Sequence, residues 1–105
     1  MAHKVELHPC AKDDLDALDG SVQKEVAKKI DALSENPLLG RPLGNRSGID
    51  LSGFYKIYIQ KKKYRIVYRL IGSYLEIVEI VGIGKRDKEE IYKMVFKRLQ
   101  KRLKK

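Results

Sequence analysis

Two alternating runs separated by a charged break constrain this chain more than anything else in it. In Phe54 to Gln60, Tyr55, Ile57 and Ile59 point one way while Phe54, Lys56, Tyr58 and Gln60 point the other. Tyr64 to Leu70 repeats the pattern, with Ile66, Tyr68 and Leu70 set against Arg65, Val67 and Arg69. Successive side chains of a strand point to opposite faces, so a period of two predicts strands. Lys61-Lys62-Lys63 reads as the tip of the hairpin joining them. After a second turn region at Ile71 to Tyr74, Leu75 to Ile83 is apolar on nearly both faces, Glu76 and Glu79 excepted. That composition predicts an interior strand. The connections are short enough for an antiparallel meander.

The first third of the chain supplies a cover for the apolar face. Lys4 to His8 alternates and predicts a short strand, which Pro9 ends. Ala11, Leu15 and Leu18 recur at helical spacing. Asp19-Gly20 breaks that helix, and Ser21 is the expected N-cap of a second one. Val22, Val26, Ile30 and Leu33 form its apolar stripe, and Asn36-Pro37 stops it. Leu38 to Leu51, rich in Gly and Pro, reads as the one long irregular segment. Its Arg41 and Arg46 either contact phosphates or keep the loop soluble.

The expected working end runs from Gly82 to Tyr92. Gly82 and Gly84 are read as the sharp turn between the last strand and a final helix that starts at Asp87. Asp87, Glu89 and Glu90 suit the first turn of that helix, and the lysines and arginines after Lys97 suit its end. Arg86 would leave the strand end beside the helix start, with Tyr92 near its second turn. A guanidinium and a phenol at such a corner suit phosphate chemistry, and a solvated basic corner with a core tyrosine is the alternative. The fold class is therefore α+β: an antiparallel sheet with an N-terminal helical hairpin and a C-terminal helix, in the order β-α-α-β-β-β-α, as a single domain over residues 1–105.

Charge narrows the partners. The net charge is +9, distributed as −3 over residues 1–37, +5 over 38–84 and +7 over 85–105. A basic excess gathered in the strands and last helix attracts polyanions. No apolar run reaches membrane-spanning length and no signal peptide is visible, so the expectation is a cytoplasmic protein with no membrane partner. The single cysteine, Cys10, excludes an internal disulfide and fits a reducing compartment.

Several chemistries lack their parts. The two histidines, His3 and His8, form no zinc-spaced set, so no metal and no cofactor is expected. Gly82-Ile83-Gly84-Lys85-Arg86 lacks the spacing and the Ser or Thr of a phosphate loop. Asp13 and Asp14 read as a solvated helix face. What remains is a set of cations and phenols: Lys56, Tyr58, Arg65, Arg86 and Tyr92. Metal-free RNA cleavage needs a base for the 2′-hydroxyl, cations for the charge growing on the phosphate, and a proton for the leaving 5′-oxygen. Arginine serves the second need because its fork matches phosphate oxygens and stays charged. A lysine or tyrosine serves as base only if neighbouring cations lower its pKa. Lys56 and Tyr58 share a face. Whether Arg65 joins them depends on strand register.

Leu51-Ser52-Gly53-Phe54-Tyr55-Lys56-Ile57, Tyr64-Arg65-Ile66-Val67-Tyr68, Val81-Gly82-Ile83-Gly84-Lys85-Arg86 and Ile91-Tyr92 together resemble the RelE family of toxins, from type II toxin–antitoxin systems. The resemblance covers nearly the whole chain. It implies a microbial-ribonuclease-like fold and a ribosome-dependent mRNA endonuclease, or mRNA interferase, cutting message in the ribosomal A site. It implies catalytic roles for Lys56, Arg65, Arg86 and Tyr92: the two arginines on the phosphate, Lys56 in activating the nucleophile, Tyr92 in orienting the 2′-hydroxyl or stacking on a base. Tyr58, Lys61, Lys62, Lys63 and Lys85 are the expected nucleic-acid contacts. The implied partners are a cognate antitoxin and the ribosome with bound mRNA, with the free toxin monomeric and the antitoxin complex oligomeric. The sequence departs from the family pattern at Tyr58, where a second lysine is expected, and at Ser52, where a basic residue is common. Arg41 or Arg46 is a candidate substitute. The rival readings are a ParE-like inhibitor of DNA gyrase, a non-catalytic nucleic-acid-binding module and an inactive toxin relic.

Overall fold

A computed structural model of the chain describes residues 3–46, 49–61, 63–72, 76–85 and 97. The expected final helix, with Arg86 and Tyr92, lies outside the described residues, as does Lys62. Among the described residues five strands and two helices follow in the order β1 (Lys4–Leu7), α1 (Pro9–Asp16), α2 (Gly20–Glu35), β2 (Arg41–Arg46), β3 (Ile49–Ile59), β4 (Tyr64–Ile71) and β5 (Ile77–Lys85). They form one sheet in the order β1-β5-β4-β3-β2. The β2–β3, β3–β4 and β4–β5 pairs are antiparallel, and β1 lies parallel to β5. The α+β class holds, with a mixed sheet in place of a wholly antiparallel one. The interior position expected for the last strand is also observed, since β5 runs between β1 and β4.

Each helix begins at a residue that satisfies its open amides. His8 accepts a hydrogen bond from the Cys10 N–H through Nδ1, at 3.1 Å, and Pro9 takes the first helical position. The N-cap of α2 is Asp19 and not Ser21. The Asp19 carboxylate accepts from the Val22 N–H at 3.3 Å, and the Ser21 hydroxyl turns back to the same oxygen at 3.2 Å. A carboxylate at this position also complements the helix dipole, which a serine cannot do. The stripe of α2 then buries Val22, Val26 and Leu33 against Ile59, Ile66, Tyr68, Val78, Ile80 and Ile83 of the sheet. Each such side chain contributes about 1.5–3 kcal/mol by leaving water.

The segment read as irregular holds a strand. Arg41–Arg46 is an edge strand, paired with β3 from Arg41↔Lys56 to Arg46↔Ile49. Pro42 and Gly44 disguise it, and its register shifts between them. Proline is tolerated there because an edge strand has one side free of ladder bonds.

The two glycines expected to form a turn are strand residues. Gly82 and Gly84 lie within β5, which runs on to Lys85, and make no turn ahead of it. Val67 pairs with Gly82 and Tyr68 with Ile80, so Val81 is an extra residue, a β-bulge. The bulge reverses the alternation of everything after it. Ile83 is thereby turned into the core, while Gly82 and Gly84 fall on the opposite face.

Where β1 ends, β5 would lose its partner on that side. The His8 N–H still reaches the Ile80 carbonyl at 2.9 Å. Beyond it the Asp14 carboxylate accepts the Ile83 N–H at 3.1 Å. Asp14 is thus a structural acceptor that extends the ladder from a helix, and not merely part of a solvated face. A comparable bond fixes the other end of the molecule, where Glu25 of α2 accepts the Gln60 N–H at 3.0 Å beside the β3–β4 turn.

Candidate nucleic-acid interface

The register answers the question that alternation leaves open. Tyr58 pairs with Arg65 and Lys56 with Val67 across β3–β4, while Arg65 pairs with Gly84 across β4–β5. Directly opposed residues of a sheet share a face. Lys56, Tyr58 and Arg65 therefore lie together on the face opposite to the one that α1 and α2 cover. On this face β5 contributes no side chain beside Val67 or Arg65, because its residues there are Gly82 and Gly84.

Exposure falls across the strands: Lys56 and Tyr58 are half-buried, and Arg65 is buried at 5%. The Lys56 ammonium stands 5.2 Å from the centre of the Tyr58 ring, a cation–π contact that holds the lysine stem along the strand. Lys61 and Lys63 are exposed at the hairpin tip, where the expected basic turn is found. Gln60 and Lys61 take positive φ of 51° and 52° there, and the Lys63 N–H bonds the Gln60 carbonyl at 3.0 Å. Lys85 closes β5 opposite Tyr64.

At the other end of the same face the charges are spent. Arg69 bonds Glu79 at 2.7 Å, and its guanidinium carbon lies 5.8 Å from the centre of the Phe54 ring. Glu79 is buried at 3%, and an ionised carboxylate there needs its partner. The face thus carries two groups: Phe54, Arg69 and Glu79 at one end, and Lys56, Tyr58 and Arg65 at the end nearer the hairpin tip. That second group offers hydrogen-bond donors, positive charge and an aromatic ring, which suit a phosphodiester and a base. Among the described residues no group of three or more His, Cys, Asp or Glu could hold a metal ion. No described helix is long and apolar enough to cross a membrane.

One cation was not placed by alternation. The Arg41↔Lys56 pairing sets Arg41, which is exposed, on the same face as Lys56. The only signal in the sequence was the segment's two arginines, whose strand is hidden by its Pro and Gly.

Known proteins share both this sheet and this sequence pattern. The family model described as the ParE toxin of type II toxin–antitoxin systems, parDE, matches residues 5–90. The chain belongs to the RelE/ParE family of toxins of type II toxin–antitoxin systems. It is similar to the mRNA interferase toxin RelE of Escherichia coli K12, with 27% identity over 99 residues, or 94% of this chain and 99% of the relative. A double-arginine variant of the E. coli toxin RelE, solved in the free state, superimposes with a TM-score of 0.72 at 26% identity, over 93% of this chain and 98% of the other. The RelBE2 toxin–antitoxin complex of Mycobacterium tuberculosis gives a TM-score of 0.67 at 27% identity, over 82% of this chain and all of the matched one (100%).

Proposed function

We propose that this toxin is a ribosome-dependent mRNA endonuclease that cuts message in the ribosomal A site without a metal. The 2′-oxygen bonds to the adjacent phosphorus as the bond from phosphorus to the 5′-oxygen breaks. The 2′-hydroxyl proton goes to a base, and another proton reaches the departing 5′-oxygen. In this reading Arg65 and Arg86 stabilise the charge growing on the phosphate, and Arg86 also assists the leaving group. Lys56 helps activate the nucleophile. Tyr92 orients the 2′-hydroxyl or stacks on a base. Tyr58, Lys61, Lys62, Lys63 and Lys85 hold the strand.

The observation that carries this reading is the strand register, in which Lys56 and Arg65 share a face with Tyr58 beside Gly84. Arg86 is the next residue after the end of β5. Relatives named mRNA interferase add weight. The alternative within the family, ParE-like poisoning of gyrase, predicts DNA damage in place of cut message, and the RelE-named relatives weigh against it.

The partner in the cell is a cognate antitoxin, by analogy with the M. tuberculosis complex. An acidic segment would suit the basic outer face, the free toxin being monomeric and its complex oligomeric. The deciding experiment is primer extension on message programmed into ribosomes, comparing the wild type with Arg86→Ala and with ribosome-free RNA as control. Cuts confined to the A-site codon, dependent on ribosomes and strongly reduced in the variant, are expected. A folded wild type that makes no cut overturns the reading.

A further inference from the structure

The segment ahead of β3 is tied to the sheet at the point where the cations gather. The buried Tyr68 hydroxyl donates to the Pro37 carbonyl at 2.9 Å and accepts from the Gly40 N–H at 2.8 Å. A Cβ at Gly40 would come within 2.6 Å of the Lys56 carbonyl oxygen, so only glycine lets the chain pass this close to β3. The next residue is Arg41, locked in register with Lys56.

Three cations thus step inward from the β2 edge of the described sheet. Arg41 on β2 is exposed, Lys56 on β3 is half-buried, and Arg65 on β4 is buried. Opposed side chains start about 5 Å apart and diagonal ones about 7–8 Å apart. Long Arg and Lys side chains at these spacings form one continuous positive track. Phe54 and Tyr58 flank Lys56 along β3, so aromatic rings alternate with the charge on the same face. Cations interleaved with rings are what an unpaired nucleic-acid strand needs, phosphates on the first and bases on the second. An acidic polypeptide would use the charge and have less use for the rings.

We propose that Arg41 is a phosphate contact of this site, the outermost of three cations, and that it draws single-stranded RNA in from the β2 edge. The choice of RNA rests on the nuclease reading above, but the binding itself does not require cleavage. An arginine on an edge strand also discourages strand-to-strand association. That simpler role alters aggregation and leaves RNA affinity and its salt dependence untouched.

The test is fluorescence anisotropy with a short 2′-O-methyl RNA, which cannot be cut by 2′-hydroxyl attack, titrated over a series of KCl concentrations. Arg41→Ala should weaken binding about tenfold and reduce the log–log salt slope by about 0.7, the value for one lost single-strand phosphate contact. Arg41→Lys should keep the slope. Lys28→Ala removes the same charge from an exposed position on α2 and should leave both quantities at wild-type values. On programmed ribosomes Arg41→Ala should raise the half-saturating concentration and change the saturated rate by less than about twofold, as loss of uniform binding requires.

A salt slope for Arg41→Ala equal to the wild type overturns the proposal. So does a wild type that fails to bind the RNA at low salt, or a variant that loses affinity only for an acidic antitoxin segment. If the wild type binds RNA with the expected Arg41 dependence but cuts no message, the nuclease reading falls and the Arg41 assignment stands.

Discussion

Tyr68 and Arg65 lie three residues apart on β4 and both are buried, yet they belong to opposite faces of the sheet. On the helix-covered face Tyr68 is stacked on Tyr55 with ring centres 5.4 Å apart, and its hydroxyl is bonded as both donor and acceptor. Its polarity is consumed in holding the chain between α2 and β2. On the outer face Arg65 faces Gly84 and lies diagonal to Lys56. It has no part in the hydrophobic core cluster. The comparison teaches that one alternating strand can carry two separable jobs. Changes on the helix face should be read in stability, and changes on the outer face in activity.

The largest expected effect breaks the core side. Leu33→Ala empties a fully buried position and should lower stability by about 2–5 kcal/mol, read as the urea midpoint. RNA affinity per folded molecule should not move. Next, Arg65→Ala should cut single-turnover cleavage on programmed ribosomes by about 10²–10³, or about 2.7–4 kcal/mol of transition-state stabilisation. Its urea midpoint should drop less than that of Leu33→Ala. The reverse ranking would show that Arg65 serves the fold and would end the separation of the two faces.

Tyr68→Phe should cost about 1–2 kcal/mol, because the Gly40 N–H and Pro37 carbonyl lose their shared partner. It also carries a pH signature. Burial, opposed in part by the Gly40 N–H and aided by Tyr55, raises the Tyr68 pKa above the ordinary 10.0. The folded state therefore keeps a proton that the unfolded chain gives up. This contribution is complete below pH about 10 and is lost as pH rises through the folded value. Wild type should accordingly lose stability at alkaline pH more steeply than Tyr68→Phe in matched melts. Equal slopes would place the hydroxyl in water. The smallest effect belongs to Asp14→Ala, about 1 kcal/mol, with faster hydrogen exchange at the Ile83 amide as its local reading.

Much of this was legible from the chain. The α2 stripe and the two faces of the hairpin follow from periods of 3.6 and 2, since burial acts directly on side-chain pattern. The hairpin tip was legible because a run of three lysines has no place in a core. Three features escaped for one reason: each is decided by pairing with another strand and not by the segment's own pattern. β2 has no alternation and poor strand formers, and it exists because β3 offers it a ladder. The parallel seat of β1 depends on β5, far along the chain. Gly82 and Gly84 read as a turn until the bulge at Val81 is known, after which they read as bare positions beside the cations. For the site, Lys56 and Tyr58 were visible as face-sharing neighbours. Arg65 required the register, and Arg41 required a strand that sequence could not supply.

The parallel pairing of β1 with β5 also sets a schedule. Lys4 is made well before its partner Ile77, which follows roughly 70 residues later. Until residues 77–85 are made the sheet lacks the strand between β1 and β4, and with it the Gly84 flank of Arg65. Local elements such as α2 and the β3–β4 hairpin can form early, but the outer face cannot be completed before β5 emerges. The nascent chain is therefore built with its cations unassembled until β5 has been made.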